Sequence, residues 1–531
     1  MPILWAYPQA VIPSPYPDAL EFIWSTWRMQ GVLDGDKSLY ETKELFAPEG
    51  ASLLLHTVCE GVLLPVTMLL KDVDPIWRFN CAVIIAFFLN GCAAISLLRA
   101  LGAGPLVALL GALLIAFGPN QIGHLTAGHL NFLVLFPLFE ICRLLSLVSR
   151  RGGDARIAWY DYARGSIAVA FMGRTNLYFL YYAVLIGGCF SLWSLLGNRQ
   201  QMRGLLTFWA AFLLGLTPNI LHLYRIAVLA LSKRYTPDHD PSATSADLIA
   251  YVVPSSLQRL GTLPELMQLR ANVAFHEGET SLYVGVALLC AVVVACSAQR
   301  VRQMTEVILF LVLAAAAALA SFGPWLTISG VPVIWNVFDY TLRALLPLYP
   351  SVPARFGLFV ELFLVCAIVR ALVKIDSRSR RAVVVCALSV ALVELSPIRC
   401  NVTLLLPTSP ALERLREDKS VSVVVDQSLI VQHAMLRQTV HGKALVGGFL
   451  SRRPRGQERD LRRNPFLRWV SGSGREYSLE QRRAGWSTLG ADAVILDAAQ
   501  VVRMKSDLQE IGLVLVDQDE ALSIFKLERS M

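Results

Sequence analysis

Residues 81–98 read CAVIIAFFLNGCAAISLL, eighteen positions without a charged side chain, closed by Arg99. A helix through this run rises about 1.5 Å per residue, so with its flanks it crosses a hydrocarbon layer about 30 Å thick. Leu205 to Leu231 and Val307 to Ala320 repeat the pattern. Across 531 residues, 55% are hydrophobic and only 17% charged, with a mean hydropathy of +0.52. That balance excludes an ordinary soluble globular protein. The chain reads as a polytopic α-helical membrane protein. No comparable run follows Glu394, and residues 397–531 have the composition and length of one soluble domain.

The net charge of +8 is informative through its placement. Arg99, the group Arg150, Arg151, Arg156 and Arg164, the pair Arg199 and Arg203, the pair Arg300 and Arg302, and the group Lys374, Arg378, Arg380 and Arg381 occupy successive short loops. Such loops stay in the cytoplasm. Pro119 to His129 carries no Lys or Arg, and the segments 232–280 and 322–351 are long and mixed in charge, so these read as outer. About ten spans satisfy the marks: 79–99, 104–118, 129–148, 163–175, 177–196, 205–231, 281–299, 304–321, 353–373 and 382–396. Residues 1–78 and 397–531 then lie outside. Counting Ala51 to Leu70 as a span would invert every later loop, and its His56 and Glu60 suit an interfacial or re-entrant helix better. An outer start without an apolar anchor leads us to expect a further helix upstream.

Eight of the ten cysteines lie in apolar runs without metal-type spacing, which leaves Cys59 and Cys400 as the pair in outer segments. The last 135 residues read as α/β, with strands at Val421 to Asp426, Ala493 to Leu496, Leu513 to Asp517 and Ala521 to Leu527. Between Arg452 and Arg483 stand ten arginines with Trp469 and Tyr477, either a solvated basic loop or a surface for anionic headgroups or glycans.

Chemistry is sought among the outer polar residues. Asp18 and Glu21 precede Trp24 and Trp27 on what reads as an interfacial helix, where Asp18 either caps the helix or serves a reaction. Asn120, His124, His129 and Asn131 form a second group. The two histidines are five apart and share no helix face, so the spacing points to hydrogen bonding with sugar or phosphate, or to simple interface anchoring, rather than to a metal site. No cofactor is required, and a divalent cation stays open. Glu277 and Glu279 abut a span start, where the helix dipole also favours them. Arg343 and Arg355 stand near a span mouth, suited to a phosphate or to lipid headgroups. An outer acid with cations at a lipid-accessible mouth suits glycosyl transfer from a lipid-phosphate sugar.

The order Asp18, Trp24 and Trp27, Pro48-Glu49-Gly50, Leu98-Arg99-Ala100-Leu101-Gly102, Ala116-Phe117-Gly118-Pro119 and Gly128-His129-Leu130-Asn131 resembles GT-C fold membrane glycosyltransferases, the class of protein mannosyltransferases and aminoarabinose transferases. The resemblance implies a polyprenyl-phosphate sugar donor, a glycan, lipid or protein acceptor, and a site at the outer face of a bacterial inner membrane. It places the catalytic acid at Asp18, with Glu21 beside it. This chain has Asn120 and His124 where many such proteins carry a second acid. The competing classes are a lipid or polysaccharide flippase, which would need paired inverted repeats or ionisable residues along a central path, and a membrane scaffold without catalysis. The deep acids are Glu140, Glu306 and Glu361.

Overall fold

The computed structural model describes residues 10–11, 18–151, 157–197, 202–232, 234–235, 240–273, 277–298, 301, 304–345, 351–397, 403–404, 409–428, 431–473 and 477–527. Five helices are long and apolar enough to cross a membrane: Pro75–Ala100, Pro105–Ala127, Leu130–Ser149, Leu177–Leu196 and Met202–Leu231. The first contains the run that opened the sequence. Asp74 caps it by accepting from the Ile76 N–H, Pro75 fills a position that needs no donor, and the chain turns away at Gly102 with φ 96°. Shorter apolar helices follow at Val286–Cys296 and Thr305–Ser321, with Leu358–Leu372 and Arg378–Leu395 after them. Phe88, Leu214, Leu221 and Val293 stay exposed on these helices, as lipid-facing side chains do.

Charges among these helices are mostly paired. Arg143 donates to Glu140 at 2.8 Å and to Asp161 at 2.6 Å, Arg164 joins Glu140, and Arg370 meets Glu306. Glu361 has no such partner among the described residues, and one of its oxygens is buried without a hydrogen bond.

Two expectations change. The outer stretch after Phe117 is not a loop: Pro119–Ala127 is a helix, started by Pro119 and ended by left-handed Gly128 at φ 81°. The helix bearing the first acid, Asp18–Leu33, is not laid on a lipid surface. Trp24 is fully buried, and its indole N–H donates to Oε1 of Gln438 at 2.7 Å. Glu60–Leu69 is ten residues long, too short to cross.

Residues 423–527 hold a five-stranded sheet in the order Leu513–Gln518, Leu522–Leu527, Ala493–Asp497, Val423–Asp426, Ala444–Leu445. The first three strands are antiparallel and the last two pairings parallel. The segment after the first helix extends the far edge: the Leu445 N–H donates to the Glu44 carbonyl, the Ala47 N–H to Leu445, and the Phe46 N–H to Gly447. Phe22, Trp24, Leu45 and Phe46 therefore share one apolar core with Leu412, Met435 and Ile524. Cys59 is a buried free thiol, and Cys400 lies outside the described residues.

Candidate active site

Three chain segments meet at one end of the helix Pro119–Ala127. Asp18 begins the first helix, Gly128 reverses the chain between His124 and His129, and a short helix, Glu277–Thr280, packs Glu279 against Pro119–Ala127. Gly128 is required for close approach as well as for its φ, since a Cβ there would collide with the backbone of Ala19. The turn defeats the expectation drawn from helix periodicity: histidines five apart come together because the helix stops between them.

Nε2 of His129 lies 2.8 Å from Oδ2 of Asp18, and its Nδ1 lies 3.0 Å from Nδ1 of His124. Since both Nδ1 atoms point at each other, one of them must carry the proton. Behind them, Glu279 approaches Nδ1 of His129 at 3.6 Å and Nε2 of His124 at 3.8 Å, too long for hydrogen bonds. Arg355 donates to Glu279 through Nη2 at 2.6 Å and Nε at 3.1 Å. Its guanidinium also stacks 4.1 Å from the Phe132 ring centre and 5.1 Å from that of Tyr178. Burial alone would raise the Glu279 carboxyl, but Arg355 first, and then His124 and His129, hold it well below the usual carboxylate range.

The Glu279 side chain is 1% exposed and that of Asp18 34%, so among the described residues the network is most open at Asp18. His124, His129 and Glu279 also present ligand atoms within 4.8 Å of one another. Two imidazoles and a carboxylate suit a divalent cation, with the Asp18 carboxylate beside them.

The other expected site residues lie elsewhere. Glu21 is one turn along from Asp18, buried, with His56 Nε2 3.3 Å from it. Burial, and then Asp18, push its carboxyl well up. Asn120 is buried one turn before His124. Asn131 is buried and its backbone carbonyl accepts from Asn176. Arg343 is engaged by Asp339 of its own helix at 2.6 Å. Glu277 starts the helix that carries Glu279, and its side chain lies outside the described residues. Sequence reasoning missed Phe132 and Tyr178, which flank Arg355. It also missed a second polar cluster, in which Tyr40 donates to Glu60 at 2.7 Å and Arg174 donates to the Tyr40 hydroxyl. A polar pair inside the apolar stretch Ala51 to Leu70 was the available signal for Glu60.

Among solved structures, the chain is similar to the arabinofuranosyltransferase AftD from Mycobacteria, with 15% identity and a TM-score of 0.54 over 98% of this chain and 38% of that one. It is also similar to the apo oligosaccharyltransferase of Archaeoglobus fulgidus, with 11% identity and a TM-score of 0.46 over 94% of this chain and 68% of that one. ArnT from Cupriavidus metallidurans bound to undecaprenyl phosphate matches with 11% identity and a TM-score of 0.44, over 98% and 96%. The first of these likenesses shows the fold, the GT-C fold of membrane glycosyltransferases. This chain spans 38% of the length of the arabinofuranosyltransferase. No curated protein matches. Residues 64–396 match the model of a domain of unknown function, DUF6311. The chain belongs to that family.

Proposed function

We propose that this DUF6311 protein is a membrane glycosyltransferase that moves a sugar from a polyprenyl-phosphate donor to an envelope acceptor at the outer face of a bacterial inner membrane, with Asp18 as its acid/base residue. The observation that carries the reading is a largely buried network that is most open at one end. Asp18 is the exposed end, held by His129, while Glu279 and Arg355 close the far end.

The chemistry follows from that polarity. Asp18 takes the proton of the acceptor hydroxyl as the acceptor oxygen bonds to the anomeric carbon, and the bond from that carbon to the phosphate oxygen breaks with its electron pair on the departing lipid phosphate. His129 fixes the carboxylate and shares in the proton it receives. His124, His129 and Glu279 are the residues that would hold a divalent cation, which when bound supplies positive charge to the leaving phosphate. Arg355 is held by Glu279, so its part is to position the acid and the histidines behind Asp18. Glu21 faces His56 and is assigned no proton transfer.

The test is turnover of reconstituted protein with a panel of polyprenyl-phosphate sugars. Asp18→Asn should lower turnover about 10²- to 10⁴-fold while leaving the melting temperature near that of the wild type. Wild-type turnover by the variant removes Asp18 from the chemistry.

A further inference from the structure

The helix that carries His124 holds a second set of polar groups one turn deeper. Asn120 is 3% exposed and Gln121 1%, and both amides, nitrogen and oxygen alike, are buried without a hydrogen-bond partner among the described residues. Asn120 stands four residues before His124 and Gln121 three, so both share its side of the helix. The distance along the axis is about 6 Å, at 1.5 Å per residue. Below them Glu361 lies against Gly118, and a Cβ at that glycine would overlap the carboxylate. One oxygen of Glu361 is also buried and unpartnered. Five polar atoms without a partner among the described residues thus belong to the first turn of this helix and to the carboxylate packed on Gly118 at its start.

Buried polar atoms are rarely left unmet in folded proteins, and such a gathering marks where something else supplies the bonds. The atom types narrow what that is. A metal cation would satisfy the oxygens but not the two amide NH₂ groups. A phosphate accepts only, so it would leave the amide oxygens unmet and bring its charge towards Glu361. A hydroxyl both donates and accepts, which is what two amides and a carboxyl offer in return. We propose that Asn120 and Gln121, with Glu361 beneath them, form the subsite that receives the hydroxyl groups of the transferred sugar. The inference rests on the glycosyltransferase reading and adds to it the place where the sugar is held.

The test compares binding of a bare short-chain polyprenyl phosphate with that of the same lipid carrying arabinose, mannose, glucose or galactose, on full-length protein in nanodiscs. In the wild type, at least one sugar should tighten binding about tenfold or more. Asn120→Leu and Gln121→Met replace the amides by apolar groups of similar volume. Each should abolish the sugar-dependent gain, leave affinity for the bare lipid unchanged, and keep or raise the melting temperature. That last result separates ligand-binding amides from structural ones, because removing a bonded amide would lower it. A variant that retains the gain overturns the subsite and marks an ordered-water site, while the enzyme reading stands. A wild type that gains from no sugar overturns both.

Discussion

Two charge networks, carried by different helices, are built differently. In the arginine-rich one, Glu140, Arg143, Asp161 and Arg164 close on each other through direct arginine–carboxylate bonds. In the outer one, Asp18, His129, His124, Glu279 and Arg355 are linked through imidazoles, with two contacts of 3.6 and 3.8 Å and one end open. A closed network fixes helices against each other. An open one with slack has room for a proton or a cation to move.

The sharpest break in this contrast is Arg143→Ala, which strands buried Asp161 and leaves Glu140 with Arg164 alone. Removing one partner of a buried pair costs about 3–5 kcal/mol, and thermal unfolding in detergent should show it, whereas Asp18→Asn should hardly move the same transition. A smaller effect is expected for Glu279→Gln, which leaves Arg355 buried beside Phe132 and Tyr178 with a neutral partner, at a cost of about 1–3 kcal/mol. The folded carboxyl of Glu279 is depressed, so its stabilisation is present above the unfolded glutamate range near pH 4.5 and is lost as pH falls through the lower folded value. The melting-temperature gap between wild type and Glu279→Gln should therefore shrink only below about pH 4.5. A gap that closes above pH 5 would show that Arg355 does not hold the acid.

A further test, mild near neutral pH, concerns the seam between the first segment and the sheet. Burial, then Arg28, pushes His56 down to about 3, and burial, then Lys443, pushes His441 down to about 3. Both are neutral when folded and charge when unfolded. Stability is thus full above about pH 6.5 and falls as pH drops from there towards 3, by at most about 1.4 kcal/mol per pH unit for each group. A pH series of melting temperatures on wild type and His441→Phe should show the slope, with the variant flatter. Equal slopes would remove His441 from the seam's acid sensitivity.

The membrane helices were legible because apolar runs and arginine loops are local signals. Cys81 to Leu98 falls inside Pro75–Ala100, and Ala493 to Leu496 inside a central strand. The helix at Pro119–Ala127 was also readable, from Pro at its start and Gly after its end, although a short stretch between spans without Lys or Arg resembles a loop. The meeting of His124 with His129 was hidden, since it depends on the chain reversing at Gly128. Trp24 was hidden for another reason: its partner, Gln438, is 414 residues away, and no local pattern encodes that pairing. Asp18 was legible as an acid at a helix start, while Phe132 and Tyr178 looked like any aromatic near a span.

The seam between Glu44 and Leu445 has a consequence for biosynthesis. Asp18 leaves the ribosome well before its support: the helix that orients it is buttressed by Gln438 and by a strand made some four hundred residues later. The acid is therefore made early and seated late. A partly made chain carries this acid without its support, so the candidate site is complete only when the final sheet has folded back onto the first helix.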